Sequence, residues 1–202
     1  LLPVSSSRKT DFKFIDNSSV SETESSKYDS AYRIGGDLTI LPEVNEPIGL
    51  ALWGGLTYDR YAQSGSGNGS SFSISNQGVS VDVGAGPCFH PHKQISFDII
   101  PFIGGFLGSE DATTNFNDGR KLNFNEFSPG YSYGIKADMI IFTEQKLTFK
   151  ATLGYISTTM TADGTAAYYA PPGTHWTINN SNVQGVQVND TKTFSGVYGL
   201  IG

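Results

Sequence analysis

The most constraining feature of this chain is the strict alternation of side chains from Val79 to Phe89. Every second residue is apolar, and the residues between are small or polar; the first set is Val79, Val81, Val83, Ala85, Pro87 and Phe89, and the second is Ser80, Asp82, Gly84, Gly86 and Cys88. Because successive side chains of a β-strand point to opposite faces, this segment predicts a strand with one apolar and one polar face.

The length of this run suggests what surrounds the apolar face. Eleven residues that rise about 3.3 Å each and tilt by about 45° span about 25 Å, the height of the apolar band of an outer-membrane β-barrel. The same pattern extends this strand to 72–89 and predicts six others at 28–41, 48–61, 95–108, 131–142, 146–157 and 194–200. A closed barrel needs an even number of strands. The missing first strand is expected at 9–16 or before Leu1.

The connections between these predicted strands alternate in length. They are short after Leu41, Phe89 and Phe142, and longer at 64–71, 110–121 and 161–190. Outer-membrane barrels have short turns at one end and longer loops at the other. The sequence therefore predicts an all-β, antiparallel, up-and-down transmembrane β-barrel of about eight strands. Residues 1–202 form its single domain, with the first strand and an external loop in 1–27.

The composition agrees with this interpretation and excludes several other classes. The chain has 24 Gly, 12% aromatic and only 16% charged residues, and its net charge is −6. A nucleic-acid partner is not expected, because phosphate binding needs clustered Lys and Arg. One cysteine excludes an internal disulfide and a CxxC metal site. No window holds the roughly 18 apolar residues that a membrane helix needs.

The Gly-rich strands carry a resemblance to a known group of proteins. The runs 83–87 (Val-Gly-Ala-Gly-Pro) and 101–105 (Pro-Phe-Ile-Gly-Gly) are similar to strand ends of the small eight-stranded outer-membrane barrels of the opacity-protein and outer-membrane-protein-A-like group. The likeness is one of pattern and composition over 28–202. It implies the fold and a location in the bacterial outer membrane rather than an activity.

Charged residues fall on the polar face of the predicted strands. They are Arg33, Asp37, Asp59, Asp82, Asp98, Lys136, Asp138 and Lys150. A charge that faced lipid near the midplane would cost about 2–4 kcal/mol for Arg or Lys, so these side chains are expected inside the barrel. They form either a network of ion pairs that plugs the lumen or a selective ion path. A narrow eight-stranded barrel favours the plug.

The sequence offers few candidates for chemistry. His90 and His92 are expected in a surface turn, where no Cys or carboxylate completes a metal site. Cys88 is expected on the lumen face, without a partner at a spacing typical of a catalytic thiol. We find no nucleotide-binding or hydrolase motif. The sequence therefore predicts no catalytic residues, no metal and no cofactor, and the protein is not expected to be an enzyme.

Aromatic residues indicate where the barrel meets its surroundings. Near strand ends they suggest interfacial girdles; these residues are Tyr58, Tyr61, Tyr131, Tyr133, Tyr155 and Phe142. The predicted loop 161–190 carries the contact candidates Tyr168, Tyr169, His175 and Trp176. Such residues recur at recognition surfaces. The alternative is a hairpin, for example 176–188, that extends the barrel above the membrane.

Together these patterns predict a non-enzymatic outer-membrane barrel of a Gram-negative bacterium. Its expected partners are membrane lipid and a protein or glycan that contacts the external loops. The role is either surface contact or stabilisation of the envelope. A narrow porin is one alternative, because charges line the lumen. A soluble lipocalin-like barrel is another, although it would place its apolar face inside.

Overall fold

The structure, a computed structural model, shows an all-β chain folded into one antiparallel sheet. It describes residues 2–13, 19–26, 29–41, 47–67, 70–117, 119–143, 148–169 and 183–201, and these contain no helix. The strands are β1 (Leu2–Lys13), β2 (Ser19–Ser26), β3 (Ser30–Ile40), β4 (Ile48–Gly67), β5 (Ser70–His92), β6 (Ile95–Asn115), β7 (Lys121–Phe142), β8 (Thr148–Tyr169) and β9 (Val183–Ile201).

The strands follow one another in an up-and-down meander. Their order is β2-β1-β9-β8-β7-β6-β5-β4-β3, and every neighbouring pair is antiparallel. β2 and β3 are consecutive in the chain and run in the same direction. Together they therefore cross the height of the sheet once, and one such crossing is called a pass here. The sheet therefore has eight passes, which confirms the predicted all-β, antiparallel, up-and-down arrangement. Residues 1–27 contribute β1 and β2, where one strand and a loop were expected.

The strands are much longer than the apolar alternation predicted. β4 reaches Gly67, and β8 and β9 remain paired from Ala151↔Ile201 to Tyr169↔Val183. The predicted loops 64–71, 110–121 and 161–190 were therefore largely wrong, since strand pairing fills most of them. Both faces of these segments carry polar residues, so alternation of hydrophobicity could not reveal them. Of these three connections only 170–182 is long, and the difference in loop length between the two ends mostly disappears.

One face of the sheet, here called the outer face, is divided into an apolar band and a mostly polar extension. On β4 the band runs from Ile48 to Tyr58, and on β6 from Phe97 to Leu107, with large side chains exposed throughout. Beyond the band the same face of β5 carries only small or polar residues, namely Ser71, Ser73, Ser75 and Gln77. The extension lies at the end of the sheet where β4 joins β5, here called the loop end. The other end is the turn end.

The opposite, inner face holds the core, and several of its aromatic rings lie over glycines. A Cβ added to Gly134 would come within 2.5 Å of the Phe102 ring, and one added to Gly154 within 2.4 Å of the Tyr198 ring. Glycines thus make room for large side chains within the sheet. Tyr198 and Phe194, both on β9, are buried on this inner face.

The sheet curls so that its inner face encloses the core. The rings of Tyr61 on β4 and Phe194 on β9 stack 4.8 Å apart, although four strands separate β4 from β9 in the sheet. Cα atoms of β1 and β3 approach within 8 Å. No hydrogen-bonded pairing among the described residues joins β3 to a strand on its second edge, so the sheet order stays open there.

Adding a methyl group at Gly134 is expected to destabilise the fold. Gly134→Ala places a Cβ 2.2 Å from the Tyr155 carbonyl oxygen and against the Phe102 ring, so the strands or the ring must shift. Overpacking of this kind costs about 1–3 kcal/mol. The free energy of unfolding, measured by urea titration in detergent micelles, tests this. Gly105→Ala is the matched control, since no atom lies within 4 Å of its added Cβ. Equal effects of the two substitutions would contradict the packing described.

Candidate functional site

The interior charges are the candidate site, and the first cluster centres on Arg33. Its Nε lies 3.0 Å from Asp59 Oδ1, and its Nη2 contacts Asp82. Both carboxylates are fully buried. The hydroxyls of Ser80 and Ser132 donate hydrogen bonds to Asp59 and Asp82 respectively. One guanidinium on β3 therefore holds two carboxylates from β4 and β5, and β7 supplies a further hydrogen bond.

The second cluster alternates lysines and carboxylates nearer the turn end. Lys136 Nζ lies 2.7 Å from Asp138 and 3.5 Å from Asp37. Lys150 Nζ contacts Asp37 and lies 3.4 Å from Asp138. The Trp53 indole donates a 2.7 Å hydrogen bond to Asp37, and its ring centroid lies 4.3 Å from Lys136 Nζ. These contacts tie β3 and β4 to β7 and β8 across the inner face.

Asp98, the last of the eight predicted network residues, joins neither cluster. It accepts a 2.7 Å hydrogen bond from Ser96, and no cation among the described residues pairs with it.

Cys88 Sγ lies 3.2 Å from both Ser96 Oγ and His90 Nε2. The expected surface position of His90 was wrong, because β5 continues to His92 and buries the His90 ring on the inner face. The turn itself lies at 93–94.

A third cluster, which the sequence analysis missed, lies on the inner face at the level of the polar extension. Arg8 Nη2 lies 2.7 Å from Asp190, Lys192 Nζ lies 3.1 Å from Asp190, and Lys192 also contacts Glu110. Glu110 and Asp190 were overlooked because they fell at the edges of predicted loops. The alternation of β6 could have revealed Glu110. Even-numbered residues of this strand, such as Phe102 and Phe106, are buried on the inner face, and Glu110 continues this series.

An apolar layer separates this third cluster from the Arg33 cluster. It consists of Tyr61, Phe106, Met160 and Phe194, each exposing 4% of its surface or less. Tyr61 follows Asp59 at the next inner position of β4, and Phe194 follows Lys192 at the next inner position of β9. The assignment of Tyr61 to an interfacial girdle was therefore wrong. Charged and apolar groups alternate along the interior.

The environment of Glu110 changes its acidity. Burial raises the pKa of Glu110 to about 7, the attraction of Lys192 lowers it, and the neighbouring charge of Asp190 raises it. Burial also lowers the pKa of Lys192. Both shifts have burial as their largest cause, because burial disfavours the charged form of each group.

The four predicted contact residues are only partly accounted for. Tyr168 and Tyr169 lie in β8, so they belong to a paired strand rather than to a loop, and Tyr169 is 40% exposed. His175 and Trp176 lie outside the described residues. Of the alternative hairpin at 176–188, residues 183–188 pair with 164–169 of β8, and 176–182 lie outside the described residues.

Neither the site nor the comparisons point to a known chemistry. Among the described residues, no group of three or more His, Cys, Asp or Glu side chains can hold a metal ion. In the same residues, no helix is long and apolar enough to cross a membrane. No protein-family model, no curated protein and no solved structure matches this chain.

Removing Arg33 is expected to be far more damaging than removing Lys136. Arg33→Met leaves Asp59 and Asp82 buried without a cation, which costs about 3–5 kcal/mol. After Lys136→Met, Lys150 still lies 3.4 Å from Asp138, so a smaller loss is expected. Urea unfolding of the two variants in the same detergent compares them. Equal losses, or a larger loss for Lys136→Met, would contradict this assignment of partners.

The third cluster is expected to make stability depend on pH. The folded-state pKa of Glu110 lies above its usual value of 4.5, so its contribution to stability is present below about pH 4.5 and lost as pH rises through about 7. Glu110→Gln should remove this dependence. The difference between the unfolding free energies of wild type and variant is measured across this pH range. A difference that does not change with pH would contradict the assignment.

Proposed function

We propose that this protein is a non-enzymatic β-barrel of the Gram-negative outer membrane that is plugged inside and presents its loop end for surface contact. The main support for this proposal is the division of the outer face into an apolar band and a polar extension. On β5 the band runs from Val79 to Phe89, and eleven residues at the tilt of about 45° that is usual for outer-membrane barrels span about 25 Å of hydrocarbon. The extension then lies beyond the membrane.

The extent of exposed apolar surface supports this membrane placement. Large exposed side chains occupy the outer face of every strand from β3 to β8, for example Ile34, Leu56, Val81, Ile103 and Leu153. A soluble monomer rarely exposes a contiguous apolar patch of more than a few hundred Å². Lipid is therefore the environment that fits this face.

Aromatic residues at the edges of the band give independent support. Exposed tyrosines lie toward the loop end, namely Tyr32, Tyr58, Tyr131, Tyr133 and Tyr155, and Phe127 lies there too; the exposed phenylalanines toward the turn end are Phe89, Phe97 and Phe149. Tyr58 donates a hydrogen bond of 3.1 Å to Gln77 in the polar extension while its ring remains in the band. Such amphipathic rings are typical of interfacial girdles.

Closure of the barrel is part of the proposal. The pass formed by β2 and β3 is hydrogen-bonded to β1 over its first half and to β4 over its second half, so a single pass connects the two ends of the sheet. Backbone groups in hydrocarbon must find partners within the protein, which strongly disfavours an open sheet. A lipocalin-like barrel fits less well, because the inner face holds the ion-pair clusters and the outer face is apolar.

The interior favours a plugged barrel over a porin. Both charge clusters within the band are internally paired, and the apolar layer of Tyr61, Phe106, Met160 and Phe194 crosses the inner face above them. An eight-stranded barrel is just wide enough for side chains to fill. This arrangement supports a structural or surface-contact role, with a protein or glycan partner at the loop end.

A charge placed in the band is expected to impair membrane insertion. Val81→Arg puts a guanidinium on the outer face inside the band, two residues from its loop-end edge at Val79, at a cost that falls from about 2–4 kcal/mol at the midplane towards the interface. Ser73→Arg, on the same face of β5 but in the polar extension, is the matched control and should insert normally. Flotation with lipid vesicles, followed by gel migration with and without boiling, measures insertion and folding. Normal insertion of Val81→Arg would overturn the membrane proposal.

Planar-bilayer recordings distinguish the plug from the porin alternative. The unmodified protein is expected to give no steady single-channel current, because side chains fill the interior. Insertion is verified in the same preparation by protection of the strands from added protease. Large, stable currents from inserted protein would replace the proposed plug with a narrow porin.

A further inference from the structure

Arg60 is an exposed cation on the outer face, just beyond the apolar band. It is the first outer residue of β4 after Tyr58, where the band of that strand ends. Two residues of strand, at the tilt of about 45° that is usual for outer-membrane barrels, raise it about 5 Å above this edge. The headgroup layer on each side of the hydrocarbon is about 5–8 Å thick. In the proposed orientation Arg60 therefore lies among the lipid headgroups.

Arg60 has no carboxylate partner among the residues that the structure describes. The interior cations differ in this respect, since each contacts a carboxylate; they are Arg33, Lys136, Lys150 and Lys192. The one described hydrogen bond of the Arg60 side chain is long, 3.4 Å from Nε to Ser75 Oγ. The other outer positions of β4 and β5 beyond the band hold Ala, Ser and Gln, so no carboxylate of these two strands competes for the guanidinium.

Neutral hydrogen-bonding groups flank Arg60 on both neighbouring strands. Tyr32 of β3 and Gln77 of β5 lie directly opposite it. The amide oxygen of Gln77 accepts a hydrogen bond of 3.1 Å from the Tyr58 hydroxyl, which leaves the amide NH₂ group of Gln77 as a donor. The rings of Tyr32 and Tyr58 lie 6.3 Å apart at the edge of the band. A set of donors thus adjoins an exposed apolar surface.

We propose that Arg60, together with Gln77 and Tyr32, binds the phosphate of an anionic lipid headgroup in the leaflet at the loop end. This inference rests on the proposed function, because it needs the band to lie in the membrane. A guanidinium offers two parallel N–H groups that match two oxygens of a phosphate.

The continuity of the donors with the band favours a lipid over a soluble anion. Directly below the donors, the outer face carries Ile34 and Leu56, which are 67% and 59% exposed. A lipid places its phosphate against Arg60 and its acyl chains against these side chains at the same time. A soluble anion uses only the charge, which water and salt screen at an exposed site.

Native mass spectrometry of the full chain in detergent micelles tests this proposal. The probe is an equimolar mixture of phosphatidic acid and phosphatidylcholine with the same acyl chains, and the ratio of the two retained lipids is measured. Arg60→Gln removes the charge. Lys121→Gln is the matched control, since Lys121 is also an exposed basic residue of the outer face but lies at the far end of the extension on β7. Gel migration with and without boiling verifies that each variant is folded.

The unmodified protein is expected to retain phosphatidic acid about fivefold more than phosphatidylcholine, as one basic residue at a membrane surface provides. Arg60→Gln should lose this preference, and Lys121→Gln should keep it. Equal retention of the two lipids by the unmodified protein, or an equal loss in both variants, would overturn the proposal. Release of the lipid by an excess of inorganic phosphate would also overturn it, because the site would then bind a soluble anion.

Flotation of the same protein with lipid vesicles separates this proposal from the proposed function. Protein that floats with vesicles yet shows no preference between the two lipids refutes only the headgroup site. Protein that does not float refutes the membrane placement itself, and the headgroup site with it.

Discussion

Pairing of buried charges is the interaction on which the curvature of this sheet depends. Arg33, Asp82 and Lys136 lie in the interior, where an unpartnered charge is strongly unfavourable. Their partners belong to strands that are not neighbours: Arg33 on β3 reaches Asp82 on β5, and Lys150 on β8 reaches Asp37 on β3. Only a curled sheet brings these groups together. The ion pairs therefore bend the meander around its own inner face.

The same requirement explains the layered interior. A charged layer needs full pairing, and an apolar layer such as Tyr61, Phe106, Met160 and Phe194 excludes the water that would otherwise compete for those pairs. Glycines beside the large rings let these layers fit between strands, as Gly134 does for Phe102. The paired charges, the aromatic rings and the glycines beside those rings therefore depend on one another for their packing.

How much of this was predictable depended on which part of a strand carried the apolar alternation. From Val79 to Phe89 one face is apolar, so the strand, its two faces and the inward direction of Asp82 followed from a period of two. In the extensions of β6, β8 and β9 beyond the apolar band, both faces carry polar residues, so hydrophobicity no longer alternates there. For this reason Glu110 and Asp190 were missed, whereas His90 was placed on the surface because the His-Pro-His segment at 90–92 was predicted as a turn. The partners of each charge depend on the curl and the strand register, which one strand at a time cannot reveal.

The polar extension has a consequence for what reaches this protein from outside. From Ser70 to Gly78, β5 continues beyond the apolar band by about 30 Å of strand, or about 20 Å of height at a tilt of about 45°. In the proposed orientation, the loop-end connections sit on a stiff collar that clears the lipid headgroups. A bulky approaching molecule then meets the rim of this collar before it meets the membrane.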